Sequence, residues 1–337
     1  MKKVVLIPSY EPNNNLIKLV DELKKEKVDI IVVNDGSNVK YDNIFKKIEK
    51  DVVYLRYKDN HGKGYALKYG FKYIKDNYND CNIITVDSDG QHKVKDVIKI
   101  LKMVKNNNTI YLGRRLRDEK VPLKSRIGNS FSRLFFRLST GKDIYDTQTG
   151  LRAFNNALLD FLLNVDGNRF EYEMNVLFEA INSNIELVEE TIDTVYEDNN
   201  KGTHFKVVRD SLLIYKKVIK YLLSSISSFV IDYGIYVLCN VIGLKLIICN
   251  VTARIISSLY NYLVNKNIVF KDNSSIKYSI FKYYLLAFLV LVINSSLLYL
   301  FVIIFGFNRY IIKVVIEVAL FFFSYFVQNK KIFKKRK

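Results

Sequence analysis

Hydrophobic and polar positions follow two different patterns along this chain. From the N-terminus to about Lys220, short runs of apolar and β-branched residues alternate with longer segments in which apolar residues recur every three or four positions. Such alternation predicts strands connected by helices, and therefore an α/β fold with a mixed, mostly parallel sheet. The predicted strands are KVVLIPSY, DIIVVNDGS, VVYLRY, NIITVDSDG and TIYLGRR.

Polar residues follow the predicted strands at their carboxyl ends. These segments comprise residues 8–11, 34–37, 87–91 and 113–115. In open α/β sheets, ligands bind in the crevice beyond the carboxyl ends of the strands. We therefore expect these four segments to meet at one rim of the sheet, where they would form a binding site.

Long apolar runs replace this alternation from Tyr221 onward. Four of them, residues 222–242, 246–264, 284–305 and 310–328, approach the roughly 20 apolar residues that a helix needs to cross about 30 Å of hydrocarbon. The pattern predicts an all-α bundle of four transmembrane helices. The alternative is a soluble protein with unusually buried helices.

The distribution of positive charge predicts the orientation of the spans in the membrane and argues against a nucleic-acid-binding protein. The net charge is +18, and lysines cluster in the loop after the second span and in the C-terminal tail, whereas the other two loops carry mainly Lys245 and Arg309. Because positively charged loops stay on the cytoplasmic side, we expect a multi-pass protein of the cell membrane with both its first domain and its C-terminus in the cytoplasm. No basic stripe with a nucleic-acid-reading element is evident, so nucleic acid is not expected as a partner.

The N-terminus and the cysteines agree with a cytoplasmic first domain. The apolar stretch before Pro8 is too short for a secretory signal. Cys81, Cys239 and Cys249 are few and have no metal-binding or disulfide spacing, which suits a reducing compartment.

Two similar segments end the second and fourth predicted spans. Residues 260–270 read YNYLVNKNIVF and residues 324–333 read SYFVQNKKIF, so both combine aromatic residues, Asn, Lys and a final Phe. This echo indicates two helical hairpins related as parallel repeats. Aromatic and basic helix ends at a membrane surface would look similar.

The segment VDSDG places Asp87 and Asp89 directly after a predicted strand. One interpretation is a solvated turn, since Asp, Ser and Gly are common turn residues. The other is a metal site, since carboxylate oxygens suit a hard divalent cation that keeps a diphosphate among its ligands.

Six segments, VVLIPSYEPNNNL, IIVVNDGS, HGKGYALKYGF, VDSDGQH, YLGRR and DTQTGLRAF, resemble in order and spacing the motifs of inverting family 2 glycosyltransferases. They are most similar to the branch that transfers a sugar from a nucleotide to a polyprenyl phosphate. The likeness covers about residues 4–215, and the apolar part resembles the GtrA-like membrane domain fused to some of these enzymes. It implies a GT-A fold with a Rossmann-like sheet, a nucleotide-sugar donor, a polyprenyl phosphate lipid as acceptor, and Mg²⁺ or Mn²⁺.

The resemblance assigns roles on the donor side. Pro8, Tyr10 and Glu11 match the family's nucleotide-binding loop, and Asp35 matches the carboxylate that contacts the base or ribose. A turn residue is the alternative for Asp35. Lys63 lies between two glycines and is a cation suited to a phosphate; the alternative is an exposed lysine.

The resemblance also assigns the metal site. Asp89 would bind the ion directly, Asp87 would support the nucleotide or the metal, and Gln91 matches a third position typical of the polyprenyl-phosphate branch. The ion would stabilise the charge that develops on the departing diphosphate. His92 is expected to be structural, since no second histidine lies nearby.

Arginines are assigned to the acceptor phosphate. Arg115 matches the family's Gly-Ser-Arg position with Arg114 in place of the serine, and Arg126 matches a second acceptor-phosphate arginine. The planar fork of arginine suits phosphate oxygens. The pattern leaves open which of Arg114 and Arg115 points inward.

Two segments have the pattern of an interfacial helix. Residues 126–138 carry an apolar stripe with interspersed arginines, which predicts a helix at the bilayer surface or an ordinary core helix. Residues 204–223 form a second candidate that leads into the first span.

Processive polysaccharide synthases share the acidic rim and also carry membrane helices. Their signature includes a tryptophan that stacks on the acceptor sugar. This chain contains no Trp, which argues against that class.

Ionisable residues within the predicted spans are costly in hydrocarbon and are therefore functional candidates. They are Asp232, Arg254, Lys313 and Glu317. One interpretation is a polar path for the head group of a lipid-linked sugar. The other is simple pairing between helices, for example of Asp232 with Arg254.

The sequence thus predicts a GT-A domain at 1–202, an amphipathic linker at 203–221 and a four-helix GtrA-like membrane domain at 222–337. The expected activity is inverting, metal-dependent transfer of a hexose-type sugar to undecaprenyl or another polyprenyl phosphate at the cytoplasmic face. A UDP-sugar is favoured over GDP-mannose. A homo-oligomer is compatible with the sequence. The alternative function is a lipid-linked sugar flippase or scaffold whose membrane domain is the main functional part.

Overall fold

The computed structural model describes residues 1–115, 130, 132–134, 136–137, 140–193 and 216–333. The chain forms two compact units, Met1–Ile214 and Tyr215–Lys337. Residues 203–215 of the predicted linker lie outside the described residues, and residues 216–221 are part of a helix of the second unit.

The first unit contains a seven-stranded sheet in its described part. Strand β6 runs antiparallel to its neighbours β4 and β5, while the other neighbouring strands are parallel, in the order β3-β2-β1-β4-β6-β5-β7. This sheet confirms the predicted mixed, mostly parallel α/β fold. The strands are β1 (Lys2–Ser9), β2 (Asp29–Asp35), β3 (Val53–Tyr57), β4 (Cys81–Thr85), β5 (Thr109–Arg115), β6 (Arg152–Asn155) and β7 (Glu186–Ile192).

Helices cover both faces of this sheet, so its central strands are buried on both sides. Along β1, Val4 and Leu6 belong to one apolar core, whereas Val5 and Ile7 belong to the other, because successive side chains of a strand point to opposite faces. The main helices are α1 (Asn15–Leu23), α2 (Asp42–Ile48), α3 (Lys63–Asn77), α4 (Val94–Met103), α5 (Leu159–Asn164) and α6 (Glu171–Asn182). Helices α1, α2 and α4 contribute to one core, and α3, α5 and α6 contribute to the other.

The sequence pattern did not predict strands β6 and β7. Strand β6 has four residues, and both of its antiparallel partners come from distant parts of the chain. Strand β7 reads ELVEETI and is largely half-buried at the sheet edge, where Glu190 pairs with Lys99. Neither strand therefore carries the apolar run that identifies a buried strand in sequence.

The second unit is helical throughout its described secondary structure. Helices lie in all four predicted segments, and the third begins at Ile276 rather than Tyr284. The helices are α7 (Lys216–Val241), α8 (Leu246–Val264), α9 (Ile276–Leu298) and α10 (Arg309–Val327). Two helical stretches, Val218–Val241 and Ile276–Ile304, are long and apolar enough to cross a membrane, and few of their residues are buried.

The two echoing segments of the second unit contact each other at matched positions. Each contains a π-helical turn near its end, Asn265–Val269 and Gln328–Ile332. The Asn265 Nδ2 donates to Gln328 Oε1 over 3.1 Å, and the rings of Phe270 and Phe333 stack with centroids 5.2 Å apart. The ends of the two hairpins therefore contact each other, and their relation as parallel repeats stays a prediction.

The four ionisable residues that the sequence analysis singled out within the apolar helices are paired with one another. The Arg254 Nη2 lies 3.7 Å from Asp232 Oδ2, and Ser257 Oγ donates to Asp232 Oδ1 over 2.7 Å. Lys313 Nζ lies 2.6 Å from Glu317 Oε1. The pairing of Asp232 with Arg254 agrees with the interpretation that these charges simply pair between helices. A transport role for them stays a prediction.

Candidate active site

The carboxyl ends of β1, β2 and β3 open into a cavity of about 670 Å³. Because these strands are adjacent and parallel, residues that follow β1 and β2 converge there. Two of the four predicted rim segments, 8–11 and 34–37, therefore contribute to the lining, whereas residues 87–91 and 113–115 do not. Pro8 is buried within β1 opposite Val33 and does not line the cavity. The lining residues are Tyr10, Glu11, Gly36, Ser37, Asn38, Val39, Arg56, Tyr57 and Lys58.

The loop after β1 is tied to the loop after β2. Glu11 has a φ of 47°, in the left-handed region, and its backbone N–H donates to Ser37 Oγ over 2.8 Å. The backbone N–H of Ser37 in turn donates to Asn34 Oδ1 over 2.9 Å. Burial and the neighbouring Glu11 carboxylate raise the pKa of Tyr10, so this phenol stays protonated at neutral pH. The cavity wall is therefore a hydrogen-bonded surface.

Asp35 lies at the end of β2 and is 3% exposed. Its carboxylate accepts hydrogen bonds from Tyr57 Oη at 2.7 Å, from Asn60 Nδ2 at 2.9 Å and from the backbone N–H of His61 at 2.9 Å. Burial raises its pKa, and the hydrogen bonds oppose that shift. These contacts hold the loop before α3, whereas the predicted contact of Asp35 with a base or ribose stays a prediction.

Burial raises the Asp35 pKa, so removal of the buried charge would by itself favour the neutral amide. We nevertheless expect Asp35→Asn to destabilise the protein by about 1–3 kcal/mol, because both carboxylate oxygens accept hydrogen bonds and the amide NH₂ would face donors that need an acceptor. The expected result is a fall of several degrees in the melting temperature of the detergent-purified protein. Asp59→Asn, an exposed aspartate in the same loop, is the matched control. Equal melting temperatures for the two variants would contradict a structural role for Asp35.

Lys63, the first residue of α3, joins two acidic residues from different elements. Its Nζ lies 2.6 Å from Asp87 Oδ1 and 2.9 Å from Glu173 Oε1, and its side chain is 15% exposed. Burial alone would raise the pKa of Asp87, but the Lys63 ammonium and His92 together outweigh it and hold that pKa well below its usual range. Burial alone would lower the pKa of Lys63, and the two carboxylates raise it instead. Lys63 is therefore a fixed cation beside the predicted metal site, and Glu173 was not predicted from sequence.

Asp87 is enclosed on further sides. The Nε2 of the buried His92 lies 3.9 Å from Asp87 Oδ2. Gly150 packs so closely that a Cβ added there would lie 2.3 Å from the same oxygen. Asp87 is therefore held in one position by residues from three other parts of the chain.

Asp89 has a different environment from Asp87. It is half-buried, and its Oδ1 accepts the backbone N–H of Gln91 over 3.1 Å. Burial and the negative charge of Asp87 raise its pKa. A bound divalent cation would relieve this repulsion, so the oxygen donors of Asp87, Asp89 and Gln91 fit Mg²⁺ or Mn²⁺. Within the described residues, no three His, Cys, Asp or Glu side chains cluster as a complete metal site, so an ion would need further ligands from water or substrate.

Arg115 and Arg114, at the end of β5, have different partners. The Arg115 guanidinium forms a bidentate ion pair with the buried Asp146, with Nε 2.6 Å from Oδ2 and Nη2 3.1 Å from Oδ1. The Arg114 guanidinium lies 5.1 Å from the ring centroid of Tyr145. The Arg133 guanidinium lies 4.7 Å from the same centroid. Three arginines are therefore gathered around the DTQTG segment, whose first residue is Asp146.

Some predicted site residues are not described. Arg126 lies outside the described residues, as do much of the predicted interfacial helix at 126–138 and residues 204–215 of the second candidate helix.

Comparisons with known proteins agree with the geometry of the first unit and with the apolar second unit. Residues 4–163 match the model of "Glycosyl transferase family 2", and residues 220–333 match "GtrA/DPMS, transmembrane domain". The second match and the two membrane-compatible helical stretches indicate a membrane-anchored protein.

Three relatives illustrate the likeness. An uncharacterized protein of Methanocaldococcus jannaschii is 31% identical over 64% of this chain and 90% of its own length. The UDP-N-acetylglucosamine--dolichyl-phosphate N-acetylglucosaminyltransferase of Methanococcus voltae is 27% identical over 60% of this chain and 90% of its length. The dolichyl-phosphate beta-glucosyltransferase of Saccharomyces cerevisiae is 30% identical over 62% of this chain and 73% of its length.

The mostly parallel sheet, the acidic pair after β4 and the family matches lead to one assignment. The chain is a glycosyltransferase that belongs to glycosyl transferase family 2 and carries a GtrA/DPMS-type transmembrane domain.

Proposed function

We propose that this enzyme transfers a sugar, with inversion, from a nucleoside diphosphate sugar to a polyprenyl phosphate at the cytoplasmic face of the membrane. Two of the relatives are named for transfer to dolichyl phosphate. A UDP-sugar is our preferred donor, and GDP-mannose is the alternative.

The observation that carries the proposal is the arrangement of Lys63, Asp87 and Asp89. A buried ammonium and two carboxylates lie at the carboxyl end of the sheet, where a diphosphate binds in α/β folds of this kind. Lys63 would contact phosphate oxygens. The cavity lined by Tyr10, Glu11 and Ser37 would hold the nucleoside.

Asp89 would hold Mg²⁺ or Mn²⁺ directly, with Asp87 and Gln91 as supporting oxygen donors. When bound, the ion supplies positive charge that stabilises the departing nucleoside diphosphate. Asp87 stays ionised, because Lys63 keeps its pKa low, and so presents a carboxylate to the ion throughout the neutral pH range.

The acceptor requires orientation more than deprotonation. A phosphate monoester has a second pKa of about 6 and is largely dianionic at neutral pH, so its oxygens attack without a general base. Arg115, whose guanidinium is fixed by Asp146, is suited to orient such a phosphate, together with Arg114 and Arg126. Inversion follows if the phosphate oxygen attacks the anomeric carbon from the face opposite the diphosphate.

The second unit would hold the protein in the membrane that contains the acceptor lipid. We propose that α7, α8, α9 and α10 all span the membrane, with both chain ends in the cytoplasm. A lipid-linked sugar flippase or scaffold is the second candidate function. The observation behind it is that four ionisable residues, Asp232, Arg254, Lys313 and Glu317, lie within these apolar helices, where charge is costly.

The test is release of nucleoside diphosphate by the detergent-purified protein from a panel of UDP- and GDP-sugars. We expect release that requires both undecaprenyl phosphate and Mg²⁺ or Mn²⁺, that stops with EDTA and that returns when the metal is restored. An absence of release from every donor by the folded protein, beside an active related enzyme, would favour the flippase or scaffold.

A further inference from the structure

Glu173 is a buried acid that the proposed mechanism has not used. It lies in the first turn of α6, is 7% exposed, and its Oε1 lies 2.9 Å from Lys63 Nζ. A buried carboxylate costs free energy unless it is paired. Its partner is the Lys63 ammonium, which also pairs with Asp87, so one lysine forms ion pairs with two carboxylates.

Helix α3 approaches α6 closely because Gly64 has no side chain and because a backbone hydrogen bond joins the start of α3 to the residues before α6. At Gly64, next to Lys63, an added Cβ would lie 2.5 Å from Tyr172 Cβ. The backbone N–H of Tyr65 donates to the carbonyl of Asn168 over 2.9 Å. The N-terminus of α3 is therefore fixed against α6, which brings Lys63 to Glu173.

The backbone of Glu173 is also anchored. The buried Arg152 donates from Nη1 to the carbonyl of Glu173 over 2.7 Å and from Nε to the carbonyl of Thr149 over 2.9 Å. Thr149 precedes Gly150, which packs on Asp87. Arg152 thus joins the turn that carries Glu173 to the loop that confines Asp87.

We propose that Glu173 is a positioning residue of the donor site, which holds the Lys63 ammonium where the diphosphate of the donor binds. This inference rests on the proposed function. A divalent cation bound by Asp87 and Asp89 would compete with Lys63 for the Asp87 carboxylate and so weaken the ion pair between Asp87 and Lys63. Glu173 belongs to a different element and would still hold the ammonium, which could then contact a phosphate oxygen without moving away.

The experiment measures equilibrium binding of UDP, GDP and the corresponding nucleosides to the full-length protein, with and without Mg²⁺ and in the absence of lipid. We expect Glu173→Gln to weaken binding of the nucleoside diphosphate by about ten-fold or more, because an uncharged amide anchors an ammonium less firmly. Nucleoside binding should not change, since the cavity proposed to hold the nucleoside is lined by residues that do not include Lys63.

Glu171→Gln is the matched control. Glu171 lies in the same turn of α6, and its Oε1 accepts the backbone N–H groups of Asn168 and Arg169 at 3.1 and 3.3 Å. We expect this variant to melt at a lower temperature and to keep the wild-type ratio of diphosphate to nucleoside affinity. A merely structural role for Glu173 would give the same behaviour in Glu173→Gln.

The Lys63→Met background tests whether Glu173 acts through the lysine. There, Glu173→Gln should cause no further loss of diphosphate affinity. The inference would be overturned if Glu173→Gln bound the diphosphate with wild-type affinity. It would also be overturned if Glu173→Gln lowered diphosphate affinity in the Lys63→Met background by as much as it does in the wild-type protein. If Glu173→Gln does not fold, Glu173→Asp replaces it: the shorter acid should give a smaller loss, and unchanged affinity would again overturn the inference. A wild-type protein that binds neither diphosphate would instead overturn the proposed function.

Discussion

Asp89→Asn is expected to reduce sugar transfer by about 10³-fold or more, because the metal would lose a charged ligand at the departing diphosphate. The measurement is kcat/KM for nucleoside diphosphate release with saturating acceptor lipid. Asp76→Asn, an exposed aspartate on α3, is the matched control and should retain wild-type activity. Activity within a few-fold of wild type in Asp89→Asn would contradict the assigned metal site.

The stability of the Asp89→Asn variant provides an independent check that the fold is retained. Burial and Asp87 raise the pKa of Asp89 in the folded state, so ionisation of Asp89 destabilises the folded protein at pH values above its unfolded pKa. We therefore expect metal-free Asp89→Asn to melt above wild type at neutral pH. The difference should disappear as the pH falls below about 3.9, where the carboxyl group is protonated in both states.

Gly150→Ala is expected to reduce sugar transfer by about 10²-fold while the protein remains folded. The new Cβ would lie 2.3 Å from Asp87 Oδ2, so the carboxylate must move. Gly150 itself has little freedom to retreat, because its carbonyl accepts a hydrogen bond from Thr85 Oγ1 over 2.7 Å. The displaced carboxylate would leave its 2.6 Å contact with Lys63 and its place beside the metal.

The measurement for Gly150→Ala is kcat/KM together with the metal concentration that gives half-maximal activity, which should rise. Gly234→Ala is the control for the same chemical change, since a Cβ there meets nothing within 4 Å among the described residues. Wild-type activity and metal dependence in Gly150→Ala would show that the position of Asp87 does not matter for transfer.

These two substitutions probe different requirements of one site. Asp89 tests the presence of a ligand, whereas Gly150 tests the geometry of a neighbouring carboxylate that keeps its chemical identity. Loss of activity in both variants would indicate that the site needs Asp87 in a fixed position as well as the charge of Asp89. Loss in Asp89→Asn alone would indicate that the metal is held mainly by Asp89 and tolerates movement of Asp87.

The sequence by itself determined the parts of this protein that depend on local patterns. Apolar runs of strand length gave the five strands β1 to β5, and polar residues directly after them marked the rim that carries Asp87 and Asp89. The long apolar runs likewise located the four helices of the second unit. These features are readable because hydrophobic periodicity and strand-to-loop transitions are set by neighbouring residues.

The tertiary structure alone decided which distant residues complete the site. Glu173 meets Lys63, Gly150 confines Asp87, and Asp146 pairs with Arg115. Strands β6 and β7 also lack a local signal, because one is short with partners from distant segments and the other is a charged edge strand. Such contacts join elements that are far apart in the chain, and their partners are selected by packing, burial and charge neutralisation in the folded protein, which a local sequence pattern does not encode.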